Sequence, residues 1–198
     1  TWWAHGAEVV PDWLRTFMGL EGLASTASDY ATFVIPALLQ TTDYSRGATV
    51  SSGRVRPDHT DRVVGLRMDR QRRLDSDREP LRLVALIEES VLDRPVGGPA
   101  VMRRQLEHLI SMAERDNVEI HVLPTAVGWH DGGVGAFTLL DFAQAQSIAY
   151  VEIVNGAVYV QDQDQVAGYT RIVTRLREIA LSPADTVAAI RARLTALT

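Results

Sequence analysis

The chain has 198 residues, 46% of them hydrophobic and 23% charged, with a formal net charge of −5, a balance that fits a folded globular domain and excludes a disordered one. It contains no cysteine, and all 20 basic residues are arginine, so disulfides, thiolate metal sites, thiol nucleophiles, Schiff-base lysines and P-loop lysines are excluded. The acidic balance argues against a chain that grips nucleic acid unaided, and with neither a membrane-length apolar run nor a signal pattern the expected location is the cytoplasm.

The adjacent Trp2 and Trp3 read as the opening of a domain cut from something longer. Pro11 and Asp12 suit a first helical turn, and Trp13, Phe17 and Leu20 recur at helical spacing, which predicts a helix over 11–21. Residues 24–35 are rich in Thr, Tyr, Phe, Val and Ile and predict a strand ending at Pro36. A helix over 38–50, a loop over 53–57 and an arginine-rich helix over 58–75 follow. The apolar run 81–88 predicts a buried strand, the Gly97-Gly98 pair a break, and Pro99 the start of a helix with Met102, Leu106, Leu109 and Ala113 on one face. Residues 118–123 form a strand stopped by Pro124, and 128–135, with four glycines, a loop.

Strands over 137–142, 148–154 and 157–160 come next, the last two joined at Asn155-Gly156, a hairpin signal. Val166, Tyr169, Ile172, Val173, Leu176 and Ile179 mark an amphipathic helix. Ser182-Pro183-Ala184-Asp185 starts another, striped by Val187, Ile190, Leu194 and Leu197. The fold expected is a single α+β domain, with a mixed sheet of about five strands packed by helices and two C-terminal amphipathic helices over about 162–198.

No G-x-S-x-G, H-E-x-x-H, Walker A or G-x-G-x-x-G motif is present, which lowers the case for an enzyme. The loop at Gly128 carries Trp129, His130 and Asp131. It reads as a cover over a ligand with His130 as base or sensor, or as a surface loop whose tryptophan packs on the sheet. Glu88 and Glu89 close the most apolar strand, where a carboxylate faces a crevice and binds a cation, or else pairs with an arginine. His121, alternating with Ile120 and Val122, reads as a satisfied, half-buried histidine. No histidine spacing suits a metal, and neither metal nor cofactor is expected. Over 54–73 seven arginines stand against three aspartates, either a phosphate or acidic-partner surface or a solvated helix with internal ion pairs.

Taken in order, several segments carry a family likeness. Trp2-Trp3, Val10-Pro11-Asp12-Trp13 and Leu20-Glu21 open it. Ile35-Pro36-Ala37-Leu38-Leu39-Gln40-Thr41 through Tyr44 is its most distinctive string, with Ala37 in place of the usual glycine and Ser45 in place of an alanine. Arg70-Gln71, Glu89 with Leu92, Val96-Gly97-Gly98, Met102 with Gln105-Leu106, Val122-Leu123-Pro124, Gly128 with His130, Gly135 with Phe137, Tyr150-Val151-Glu152 and Ala180-Leu181-Ser182-Pro183 continue it. The chain resembles, over nearly its whole length, the C-terminal domain of Xre-type helix-turn-helix, antitoxin-like transcriptional regulators of high-GC bacteria. That resemblance implies a DNA-binding domain upstream, absent from this sequence, and a gene for a very small partner protein nearby. It supplies no catalytic residues.

The expected role for residues 1–198 is therefore a module that senses a small-molecule effector or a small protein partner, with DNA reached only through the missing domain, no membrane, and a homodimer as a further expectation. The expected ligand- or partner-binding residues are Leu38, Leu39, Gln40, Tyr44, Arg67, Arg70, Glu88, Trp129, His130, Tyr150 and Glu152. Two alternatives stand beside it. One is a biosynthetic enzyme built on the same domain, with His130, Asp131 and Glu88 as its acid–base groups. The other is a protein–protein adaptor working through Leu38–Tyr44 and the basic helix.

Overall fold

The computed structural model describes residues 10–197; Trp2 and Trp3 lie outside them. Six strands form one mixed sheet, one more than the count of about five: β1 (Thr26–Ala31), β2 (Arg82–Glu88), β3 (Val118–Leu123), β4 (Phe137–Asp141), β5 (Ile148–Ile153) and β6 (Gly156–Val160). Their order is β3-β2-β1-β4-β5-β6. The first three strands run parallel, and β4, β5 and β6 add antiparallel to the far side of β1. β2 lies between two parallel neighbours and is buried on both faces, which is why it reads as a continuous apolar run.

The helices are α1 (Asp12–Leu23), α2 (Thr42–Ser52), α3 (Thr60–Gln71), α4 (Glu89–Asp93), α5 (Pro99–Met112), α6 (Gln163–Ile179) and α7 (Pro183–Ala196). Side chains alternate across the sheet and create two cores. On one face Ala27, Leu83, Ala85, Ile120 and Leu140 meet Phe17 of α1, Leu106 and Leu109 of α5 and Ile190 of α7. On the other, Tyr30, Leu86, Phe137 and Leu139 lie under Val166, Val173 and Leu176 of α6. Leu106 and Leu109 are fully buried, each contributing about 1.5–3 kcal/mol by leaving water.

Several boundaries differ from the sequence expectation. The strand expected over 24–35 stops at Ala31. The helix expected over 38–50 is a 3-10 turn at Ala37–Leu39, an extended Gln40, and then α2, capped by the Thr41 hydroxyl accepting from the Tyr44 N–H. The basic helix ends at Gln71 and tightens into a 3-10 turn over Arg72–Asp75. The short helix α4 was not foreseen. The β5–β6 turn is centred on Val154-Asn155, and neither Asn155 nor Gly156 is left-handed, so this hairpin does not use the expected Asn-Gly geometry.

The segment from Ile35 to Thr41 crosses the interior with a single 3-10 turn as its only regular structure, so its main-chain polar groups need partners. Amide side chains supply them. Gln40 Nε2 donates to the Ile35 carbonyl at 2.7 Å. Gln71 Nε2 donates to the carbonyls of Ala37 and Gln40 at 2.9 and 2.7 Å. Gln105 donates to the Leu39 carbonyl and accepts from the Thr41 N–H, both at 2.7 Å. The Ile35 N–H donates to the Tyr44 hydroxyl at 3.2 Å. Ala37 has negative φ, so this path does not need the glycine it replaces.

α7 seals the outer side of β3. The Val122 N–H donates to Thr186 Oγ1 at 3.1 Å, and its carbonyl accepts from the Leu181 N–H at 2.8 Å. An unpaired strand edge invites association, and here its central peptide is covered by the chain itself.

Candidate functional site

β1 and β2 end side by side, and past their carboxyl ends opens a cleft of about 390 Å³ lined by Tyr30, Thr32, Glu88, Trp129, His130 and the glycines of the loop after β3. The carboxyl edge of parallel strands is where open α/β sheets gather ligands, and the volume suits a small molecule. In the parallel register Tyr30 faces Leu86, so Glu88, two residues on, projects to the same face as the phenol.

Glu88 Oε1 is the hub. It accepts from the Tyr30 hydroxyl at 2.5 Å and lies 3.1 Å from His130 Nε2. His130 Nδ1 accepts from the Gly132 N–H at 3.2 Å, so the proton of the neutral ring belongs on Nε2, the nitrogen nearer Glu88. The lone pair of Nδ1 is thereby spent. No hydrogen bond from the described residues reaches Glu88 Oε2, which leaves one carboxylate oxygen for a ligand. Burial, and then donation to the Glu88 carboxylate, push the Tyr30 phenol above its ordinary range, so it stays a neutral donor.

The loop that closes the cleft is shaped by glycine. Gly128 and Gly135, at its two ends, have φ of +76° and +117°, a region other residues avoid. Between them, Gly132 presses on Tyr30: a β-carbon there would stand 2.6 Å from the phenol. Trp129 does not pack on the sheet as one alternative had it. It is 85% exposed, and its ring lies against Gly133.

Two arginines tie the surroundings of this loop to the C-terminal helices. Asp131 turns out of the cleft and accepts from Arg175 Nη1 of α6 at 2.7 Å. Glu89 accepts from the Thr125 N–H at 2.8 Å and from Arg193 Nη2 of α7 at 2.8 Å; these bonds hold its carboxyl below the usual range. So the two glutamates divide: Glu88 faces the cleft and Glu89 pairs with an arginine.

Of the expected site residues, the cleft collects Glu88, Trp129 and His130. Asp131 is directed elsewhere, so the trio expected for an enzyme is not assembled. Leu38, Leu39, Gln40 and Tyr44 are 0–3% exposed and form no surface, because the core and the interior crossing require them. Within the Leu38–Tyr44 segment Thr42 and Asp43 are the exposed residues, so these four side chains are not what an adaptor surface there would present. In the basic helix Arg67 and Arg70 turn inward, while Asp61 and Arg62 stay exposed. Arg67 Nη1 donates to Gln40 Oε1, the Ser45 hydroxyl and Thr49 Oγ1, which clamps α3 to α2.

Arg70, Tyr150 and Glu152 belong to a separate cluster on the opposite face of the sheet. Arg70 makes a bidentate, buried pair with Glu21, at 2.7 and 2.8 Å. Tyr150 is 5% exposed and stacks on Phe17 with centroids 4.2 Å apart. Glu152 Oε1 lies 3.5 Å from Arg54. Asp29 stands in this cluster on the central strand, where burial and then the Glu21 charge raise its pKa to about 7 against the pull of Arg70.

His121 is more buried than expected, at 7% exposure. Nδ1 donates to the Leu181 carbonyl at 3.1 Å, while Nε2 makes no hydrogen bond and lies 3.6 Å from Glu119 Oε2. Among the described residues no group of three or more His, Asp or Glu could hold a metal, and no helix is long and apolar enough to cross a membrane.

Tyr30, Thr32, Glu21, Asp29 and Arg175 were missed by sequence reasoning. Asp29 carried a signal: aspartate is depleted in strands, and one in the middle of a strand asks for a partner.

The model of one family, a domain of unknown function designated DUF5753, matches residues 14–192. The chain belongs to that family. No curated protein and no solved structure matches it significantly. The DUF5753 match takes in every strand, the cleft and the Glu21–Arg70 pair.

Proposed function

We propose that this DUF5753 domain is the effector-sensing part of an Xre-type, antitoxin-like transcription regulator, and that the cleft between Glu88 and Trp129 takes a small molecule bearing a cationic or amine group. The observation that carries this reading is the hydrogen bonding of the cleft's polar side chains. Glu88 offers one oxygen without a partner, the adjacent Trp129 offers an aromatic face suited to a cation, and His130 has no lone pair left to remove a proton from a ligand. Such a site binds; an enzyme working through His130 as a base would first have to free Nδ1 from the Gly132 N–H. The net charge of −5 fits a division of labour in which another domain contacts DNA.

The test is a titration of the native tryptophan fluorescence with organic cations, from alkylammonium salts to aromatic amines, with carboxylate analogues as controls. A saturable change with amines, lost in Glu88→Gln and in Trp129→Phe, supports the reading. Equal responses to amines and carboxylates, or an unaltered response in Glu88→Gln, overturn it. A gel shift with this chain alone should show no sequence-specific DNA binding.

A second reading, capture of a small protein partner at the same edge of the sheet, is favoured by the exposure of Phe33, at 62%, and of Trp129 in segments that both leave that edge. Co-purification of the small partner, abolished by Phe33→Ser, would favour it.

A further inference from the structure

The outer face of α6 has the opposite chemistry to the cleft. Gly168, Thr170, Arg171, Thr174 and Arg175 line a groove of about 670 Å³, and Asp131 of the glycine-rich loop forms its other side. Arg171 and Arg175 are four residues apart, so their guanidinium groups share one helix face. Arg171 reaches back along the helix: its Nη2 lies 3.8 Å from where a β-carbon on Gly168 would stand. Among the described residues no carboxylate pairs with Arg171. Arg175 is paired only with Asp131, and both side chains remain well exposed, at 69% and 43%. The Thr170 and Thr174 hydroxyls donate to the carbonyls of Val166 and Thr170, so the arginines supply the donors of the groove.

The groove therefore holds two cations and one carboxylate, and that carboxylate belongs to the loop that walls the cleft. An exposed ion pair of this kind is weak, with a median contribution of about 0–1 kcal/mol. A dianion bridging both guanidinium groups brings twice the charge and more charge-assisted hydrogen bonds.

We propose that this groove is a second ligand site, for a phosphate monoester or a similarly compact dianion, which engages Arg171 and Arg175 together and displaces Asp131. The volume leaves room for a molecule of nucleotide size behind the charged group. Displacing Asp131 frees the loop that carries Trp129 and His130, so an occupied groove loosens one wall of the cleft. Because such coupling is reciprocal, a ligand that orders the loop in the cleft weakens the dianion in the groove. The coupling rests on the reading of the cleft given above; the dianion site does not.

The test is an NMR titration of the ¹⁵N-labelled chain with 4-nitrophenyl phosphate at constant ionic strength, with neutral 4-nitrobenzyl alcohol as the control. The expected result is a saturable set of shifts over residues 168–175 that extends into 128–135 and is absent with the alcohol. Arg171→Ala and Arg175→Ala, both on an exposed helix face, should each weaken binding by about tenfold or more. Asp131→Asn removes the internal competitor, so it should tighten binding several-fold and reproduce the loop shifts without ligand. Glu88→Gln should still give a saturable phosphate titration that Arg171→Ala weakens, while abolishing amine binding in the cleft, which separates failure of one site from failure of the other. Shifts that do not saturate, an affinity unaffected by Arg171→Ala, or an Asp131→Asn chain that binds no tighter would each overturn the proposal.

Discussion

Tyr30 and Glu88 meet across the two central parallel strands, the phenol of one donating to the carboxylate of the other at 2.5 Å. The bond fastens β1 to β2 where both strands end and the ladder between them stops. It also fixes which oxygen of Glu88 stays available.

Tyr30→Phe keeps the ring against Phe137 and Gly132 and removes only this donor. A hydrogen bond to a charged group contributes about 1.5–3 kcal/mol, and water at the open cleft recovers part of that. The expected loss is about 1–2 kcal/mol, read as a lower urea midpoint with an unchanged slope. An unchanged midpoint would mean that hydration replaces the bond completely.

Two neighbouring glycines should respond differently to the same change. In Gly132→Ala the new β-carbon stands 2.6 Å from the Tyr30 phenol, which is wedged in the core, so the loop backbone must move. A cost of about 1–3 kcal/mol is expected, with faster proteolysis within 128–135. In Gly133→Ala the β-carbon meets the Trp129 ring at 2.8 Å, but that ring is exposed and can swing aside. Little stability should be lost, while the tryptophan emission should change. Equal costs would contradict the assignment of Gly132 as the packed member of the pair.

The Glu21–Arg70 pair predicts a non-additive double mutant. Removing one partner, as in Glu21→Leu, strands a buried guanidinium and should cost about 3–5 kcal/mol. Adding Arg70→Met removes the stranded charge and should recover most of the loss. A double-mutant cycle by chemical denaturation measures it, and simple additivity would show that the two charges do not depend on each other.

Asp29 gives a pH dependence with a definite sign. Its folded pKa of about 7 lies above the ordinary 3.8, so the folded chain keeps a proton that the unfolded chain has released. Stability from this group is fully present below about pH 4, falls as the pH rises toward 7, and levels off above it, by on the order of a few kcal/mol. Asp29→Asn should remove this slope, so its stability relative to the parent chain rises between pH 5 and pH 8. A constant difference across that range would refute the assignment.

The fold was largely legible because its signals are local. The apolar run of β2, the alternation in β3, the glycines at 128–135 and the cap at Ser182 each follow from a few consecutive residues. What stayed hidden depends on residues far apart in the chain. Nothing near Tyr30 announces that Glu88 will accept its hydrogen bond, and nothing in Gln71 or Gln105 says that each will hold a turn of backbone more than thirty residues away. The segment Leu38–Tyr44 hid its role for the same reason: Leu38, Leu39, Gln40 and Tyr44, expected to bind a ligand or partner, are buried, and the structure uses them to carry the chain through the interior.

The sealing of β3 also orders events during synthesis. The peptide that needs cover is at Val122, and its partner Thr186 lies 64 residues later. At roughly 5–20 residues per second, a growing chain exposes that strand edge for several seconds before its cover is made. A chaperone that binds the newborn polypeptide should therefore act most strongly on intermediates stalled between these two points, and a stop codon placed just before Thr186 should produce aggregates rather than a shortened domain.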